Sequence, residues 1–174
     1  PGRGSVFRLT LPLPASQAPA NDVPEDRPKT TRFPGVTVLV AEDNPVNQKL
    51  IRFMLDNLGV TVTTADDGRM AYDMLASTTA DLVLMDCQMP EWDGLTATRA
   101  IRERETAEGR GHLPIVALTA NAMVGYDAVC REAGMDDYLT KPIREEELVA
   151  ALARQLPGRA VIEEARVETA IQEA

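Results

Sequence analysis

Five side chains carry the chemistry open to this sequence: Glu42, Asp43, Asp86, Thr119 and Lys141. Each stands at or just past the end of a short strand-like run, the first three runs predominantly apolar and the last, MDDYL, mixed. VTVLVA precedes Glu42-Asp43, LVLM precedes Asp86, IVAL precedes Thr119, and MDDYL precedes Thr140-Lys141. Runs of that length, bounded by turn residues, read as buried strands. Open α/β sheets bind ligands at the carboxyl ends of such strands. Brought to one edge, three carboxylates would repel one another unless a cation compensates. Hard oxygen donors suit Mg²⁺, which keeps several waters and binds through one or two carboxylates. Thr119 adds a hydroxyl donor and Lys141 a point positive charge. Together these are what an acyl phosphate on Asp86 requires. The carboxylate acts as nucleophile, the cations offset the phosphoryl charge, and the hydroxyl donates to a phosphoryl oxygen.

The intervening segments supply the elements that position these groups. Val36–Ala41 is expected as a first strand. Asn44-Pro45 then supplies an N-cap and a first helical residue. Val46, Leu50, Ile51, Met54, Leu55 and Leu58 repeat at helical spacing up to Gly59. The β-branched Val60–Thr64 predicts a second strand. Asp66-Asp67-Gly68 opens a second helix, and the strand ending at Asp86 follows. Gln88, Met89 and Pro90 break that strand, Asp93-Gly94 turns, and a third helix is expected over Leu95–Arg104. Pro114–Leu118 is a fourth strand and Ala122–Ala133 a fourth helix. Met135–Leu139 is a short fifth strand, and Ile143, Leu148, Val149 and Leu152 line a last helix. Alternation of this kind demands right-handed crossovers and a parallel sheet covered on both faces. The fold class is therefore α/β, a flavodoxin-like, doubly wound, five-stranded parallel sheet of order 2-1-3-4-5.

That unit spans residues 35–156 of the 174. Residues 15–34 are rich in Pro and polar residues and read as a semi-stiff linker. Residues 157–174 form an acidic tail whose apolar spacing suggests a frayed helix. Residues 1–14, PGRGSVFRLTLPLP, alternate like an amphipathic strand with no partner nearby in sequence. The chain does not begin with Met and reads as a piece of a longer protein.

A net charge of −9 argues against a nucleic-acid footprint. No apolar run reaches the length of a membrane span, which with the cysteine usage suggests a cytosolic setting. Cys87 and Cys130 have no metal-ligand spacing and read as reduced core thiols. The one histidine, His112 in GRGHLP, reads as a solvated loop side chain. Its solitude excludes multi-histidine metal sites, and Ser-His-Asp catalysis unless this loop supplies the base.

VLVAEDNPVNQ, LVLMDCQMPEWDGL, IVALTANAM and MDDYLTKPI resemble the signature segments of the response-regulator receiver domain. The form is similar to that attached to hybrid sensor histidine kinases. The resemblance implies that Asp86 is the phosphoacceptor. It also implies that Asp43 binds Mg²⁺ directly, that Glu42 acts through water, and that the Gln88 carbonyl is a third protein ligand. Thr119 and Lys141 would contact the phosphoryl group, and Tyr138 matches the family's switch aromatic. The implied partners are a phosphohistidine donor, a histidine phosphotransfer protein or both, the output being relay to the latter or feedback on the kinase itself. Trp92 stands where many relatives carry Met or another apolar residue, and reads as a loop side chain near the site. Residues 1–14 resemble the last strand of a histidine-kinase ATP-binding domain, but no complete kinase domain lies in the chain.

Two rival readings come from other classes. A phosphohydrolase with an Asp nucleophile commonly carries a second Asp two residues on, where this chain has Gln88. A docking or dimerisation module without phosphorylation would have no need of the acidic pair, Asp86, Thr119 and Lys141 together.

Overall fold

The computed structural model describes residues 29–120 and 126–164. Its elements, in chain order, are β1 (Lys29–Arg32), β2 (Thr37–Ala41), α1 (Pro45–Asn57), β3 (Thr61–Ala65), α2 (Gly68–Ser77) and β4 (Leu82–Asp86). There follow α3 (Gly94–Glu108), β5 (Ile115–Thr119), α4 (Tyr126–Ala133), β6 (Asp137–Thr140), α5 (Glu145–Gln155) and β7 (Val161–Glu164).

Five parallel strands form one sheet in the order β3-β2-β4-β5-β6. Counted within the sheet this is 2-1-3-4-5, as the alternating pattern demands. All residues of β4 and β5 are buried. That follows from their position in the interior of the sheet, with helices on both faces. Side-chain alternation along the strands divides the core in two. On one face Val38, Val40, Leu82, Leu84, Val116 and Leu118 pack with Ile51 and Leu55 of α1 and Leu148 and Leu152 of α5. On the other, Leu39, Ala41, Val83, Met85 and Ala117 meet Ala71 and Leu75 of α2 and Ala97 and Ile101 of α3. Each fully buried Leu or Val contributes roughly 1.5–3 kcal/mol, so these layers hold the strand ends in place.

The helices start as their capping residues dictate. Asn44 Oδ1 accepts from the Val46 amide at 2.9 Å, Asp67 Oδ1 from Met70 at 2.7 Å, and Asp93 Oδ1 from Thr96 at 2.7 Å. The third helix runs to Glu108, beyond the expected Arg104, and ends at Gly109 with φ 63°. Its extra turn is polar, so no apolar period marked it. The expected fourth helix is seen over Tyr126–Ala133, and its start at 122–125 lies outside the described residues.

Two expectations at the ends are corrected. The last residues of the segment read as linker, Lys29–Arg32, form a strand, and Phe33 is fully buried, its amide donating to Leu58 O at 2.7 Å. The tail is not helical over Val161–Glu164. It pairs antiparallel with β1, placing Lys29 opposite Glu164 and Arg32 opposite Val161. β-Branched Val161 and Ile162 favour this, and Arg32 faces Glu163 at 3.4 Å. Arg159 roots the ribbon, donating to Gly35 O at 2.9 Å and to Asp81 Oδ1 at 3.3 Å. The strand expected within residues 1–14 and the remainder of the tail lie outside the described residues.

Candidate active site

Parallel strands β2, β4, β5 and β6 end at one edge of the sheet, and the five residues meet there. Glu42 and Asp43 follow β2, and Asp86 closes β4. One carboxylate oxygen from each of Glu42, Asp43 and Asp86 lies within 4.8 Å of the other two. Glu42 and Asp86 are buried, while Asp43 is exposed.

Lys141 Nζ donates to Asp86 Oδ2 and to Glu42 Oε2, both at 2.6 Å. Its peptide bond to Pro142 is cis. The Lys141 amide donates to Thr119 O at 2.8 Å, tying the turn after β6 to the end of β5. Thr119 is buried, one residue beyond Leu118, the register partner of Asp86. The Gln88 amide donates to Asp86 Oδ1 at 3.1 Å.

The protonation pattern follows from the charge balance. Burial raises the Asp86 carboxyl above its ordinary value. The Lys141 hydrogen bond and the Gln88 amide pull it back only in part, and Glu42 adds to the rise. Burial pulls the Lys141 ammonium down, but its bonds to Asp86 and Glu42 outweigh that, and it ends above its ordinary value. The two shifts have different causes: burial holds the proton on Asp86, whereas the paired carboxylates Asp86 and Glu42 hold it on Lys141.

Two positioning residues had not been singled out from the sequence. Asn47 Nδ2 donates to Glu42 Oε1 at 2.8 Å. Gln48 Nε2 donates to Glu42 O at 2.6 Å and to Asp66 Oδ1 at 2.8 Å. Both stand in the first turn of α1, where amides can fold back on the preceding strand end. That position, three and four residues past the N-cap, was the available signal. Both Glu42 oxygens are therefore engaged by protein donors.

Tyr138, on β6, is 46% exposed and borders a cleft with Asp127, Cys130 and Arg131. It does not join the carboxylate cluster. Trp92 is half-buried and packs on Tyr72 of α2. The thiols of Cys87 and Cys130 are buried with sulfurs 3.9 Å apart, and neither is in a disulfide. His112 is a largely exposed loop side chain, as expected, and Nε2 lies 2.6 Å from Asp136 Oδ1, a partner the sequence did not reveal. Asp136 also accepts from Arg102 and from the Ile115 amide, which fixes it there. Among the described residues no helix is long and apolar enough to cross a membrane.

The comparisons agree with this geometry. The family model described as the response regulator receiver domain matches residues 38–153. The chain is 47% identical, over 78% of its length, to hybrid signal transduction histidine kinase I of Dictyostelium discoideum. It is 38% identical, over 91% of its length, to the sensor histidine kinase GacS of Pseudomonas protegens. It spans only 8% and 17% of those two relatives. Among solved structures, the receiver domain of the Pseudomonas aeruginosa sensor histidine kinase PA1611, with magnesium in its active-site cleft, is 45% identical. The match covers 70% of this chain and 97% of that one, with a TM-score of 0.63. The receiver domain of Saccharomyces cerevisiae Ssk1, solved with the histidine phosphotransfer protein Ypd1, is 30% identical. That match covers 71% and 90%, with a TM-score of 0.67. With the fold, the strand-end carboxylates and these matches in hand, the chain belongs to the response regulator receiver domain family.

Proposed function

We propose that this domain is the phosphoacceptor receiver of a hybrid histidine kinase and that Asp86 takes the phosphoryl group. The observation that carries the reading is the shared grip of Lys141 on Asp86 and Glu42, beside the exposed Asp43. An Asp86 oxygen attacks phosphorus of a phosphohistidine. A P–O bond forms, the P–N bond breaks, and the imidazole leaves with the electron pair and takes a proton from solvent. Lys141 holds the carboxylate in place before transfer and then pairs with the phosphoryl oxygens. The Thr119 hydroxyl donates to one of them, and as it moves Tyr138 turns inward, biasing a two-state equilibrium.

The residues present fit a divalent cation. Asp43 would hold it directly with Asp86 and the Gln88 carbonyl, while Glu42, engaged by Lys141 and Asn47, would act through water. Mg²⁺, when bound, supplies charge that offsets the phosphoryl oxygens. The magnesium of the PA1611 receiver supports this assignment.

The exposed apolar side chains of α1 support a histidine phosphotransfer protein as the partner. Val46, Leu50 and Phe53 are 71%, 46% and 64% exposed. Their spacing sets them on one helix face. Leu50 also borders, with Asn47, a groove walled by Lys141 and Pro142, so the patch is continuous with the site. The Ypd1–Ssk1 complex shows that a related receiver binds such a protein. Placement in the cytosol, where kinase and phosphotransfer partner would meet the domain, belongs to the same reading.

The test is incubation with acetyl phosphate and Mg²⁺, with the product followed by intact mass. One phosphoryl group is expected on the wild-type chain and none on Asp86→Asn. Labelling that survives the substitution, or an unlabelled wild type, would refute the reading.

A further inference from the structure

The loop from Cys87 to Asp93 begins inside the site and ends outside it. Gln88 at its start contacts Asp86, and Asp93 at its end caps α3. Between them Glu91 has φ 62°, a left-handed conformation that a residue with a Cβ holds only where its flanks fix it. The flank toward the site is Met89, buried in the core. The other flank is Trp92, anchored by backbone and by ring.

Trp92 O accepts from the Gly68 amide at 3.2 Å, at the first residue of α2. A Cβ on Gly68 would stand 2.6 Å from that oxygen, so glycine permits the approach. The Trp92 ring lies 5.6 Å from Tyr72, tilted by 54°, and the Arg69 guanidinium stands 5.2 Å from its centroid. Tyr72 is held in turn by Arg104 of α3, whose Cζ lies 3.3 Å from the ring centroid. Arg104 Nη1 also donates to Tyr72 O at 2.8 Å. Arg69, Trp92, Tyr72 and Arg104 thus form a continuous stack from α2 through the loop to α3.

We propose that Trp92 is a positioning residue for the divalent-cation site. By clamping the loop to α2 it fixes the main chain of Gln88 against the carboxylates of Asp43 and Asp86. Metal affinity then depends on an aromatic ring outside the carboxylate cluster. Without the clamp Glu91 relaxes, the loop samples more conformers, and binding must order it again. The proposal rests on the metal assignment above.

The experiment is a Mg²⁺ titration of the whole chain, read from backbone amide NMR shifts at Asp86 and Gln88. Trp92→Leu should weaken the affinity about 10-fold, as supporting-residue changes around metals do. Trp92→Phe, which keeps a ring between Tyr72 and Arg69, should restore most of it. Tyr72→Leu, which leaves residue 92 in place, should weaken it in the same sense. Wild-type affinity in Trp92→Leu, or Trp92→Phe as weak as Trp92→Leu, would overturn the proposal. Asp43→Asn separates the two readings. If it leaves the wild-type titration unchanged, or if the wild type shows no shifts, the metal assignment itself has failed.

Discussion

Lys141 donates to Asp86 Oδ2 at 2.6 Å although it follows β6, two strands away from β4 in the sheet. The same ammonium reaches Glu42, one strand further on. A single long side chain thus spans the site across the end of β5. It serves as the resident counter-charge for two buried carboxylates.

Removing it should be severe. Lys141→Ala leaves Glu42 and Asp86 uncompensated, a loss of about 3 kcal/mol, at the lower end for broken buried pairs because Lys141 is partly exposed. Mg²⁺ should stabilise the variant more than the wild type, since it replaces the missing charge. Urea denaturation with and without Mg²⁺ measures both effects. The Lys141 contribution is fully present below the ordinary lysine value of 10.5 and is lost as pH rises through the higher folded value. The gap between wild type and variant should therefore close only in strong alkali. A loss below about 0.5 kcal/mol, the scale of an exposed pair, would show that the site is not net-negative.

Neutralising Asp86 should act in the opposite direction. Its raised value means the folded state favours the protonated carboxyl, so stability falls as pH rises through that value. Asp86→Asn removes this penalty and should raise the melting temperature at pH 7 by about 2–6 °C. Below the ordinary Asp value of 3.8 both proteins carry a neutral residue there, and the gain should vanish. Melting curves from pH 3 to 8 decide it, and a variant less stable than wild type at neutral pH would contradict the charge balance described.

Gly94 carries a different constraint. A Cβ there would run into the backbone oxygen of Asp86 and stand 2.9 Å from Met85 Cγ. Gly94→Ala should therefore destabilise by about 1–3 kcal/mol, the range for overpacking, and weaken Mg²⁺ binding by displacing the Asp86 main chain. Denaturation and Mg²⁺ titration of that variant test the two together.

The partner role proposed for the exposed face of α1 can be tested apart from the chemistry. Val46→Asp with Phe53→Asp alters two of the most exposed apolar side chains without touching the core. Labelling by acetyl phosphate should be unchanged. Transfer from a phosphorylated histidine phosphotransfer protein should slow about 10-fold or more, as for loss of an interface anchor. Equal loss of both would place the effect in the fold rather than the surface.

The elements that could be read from the chain were those with a strong apolar signal. β4 and β5 are continuous apolar runs, and buried strands can be little else at that length. Asp86 and Thr119 followed as their terminal residues, and Lys141 as the residue after the shorter β6. The ribbon was not legible, because KTTR and VIEE are four-residue segments with no core-facing alternation, and only their long-range pairing makes them strands. The Asp136 partner of His112 was hidden for a similar reason. Residues 112 and 136 lie on different loops, and only β5 and β6, lying side by side, bring them together.

The ribbon also brings the two ends of the described unit together. Lys29 and Glu164 are register partners, and Arg159 fastens the ribbon to Gly35 and Asp81, at the strand beginnings. The first and last described strands therefore share one doorway, on the side of the sheet away from Asp86. A unit closed in this way can be spliced into a host polypeptide as a loop, its junctions drawn together and its carboxylate rim left at the opposite edge.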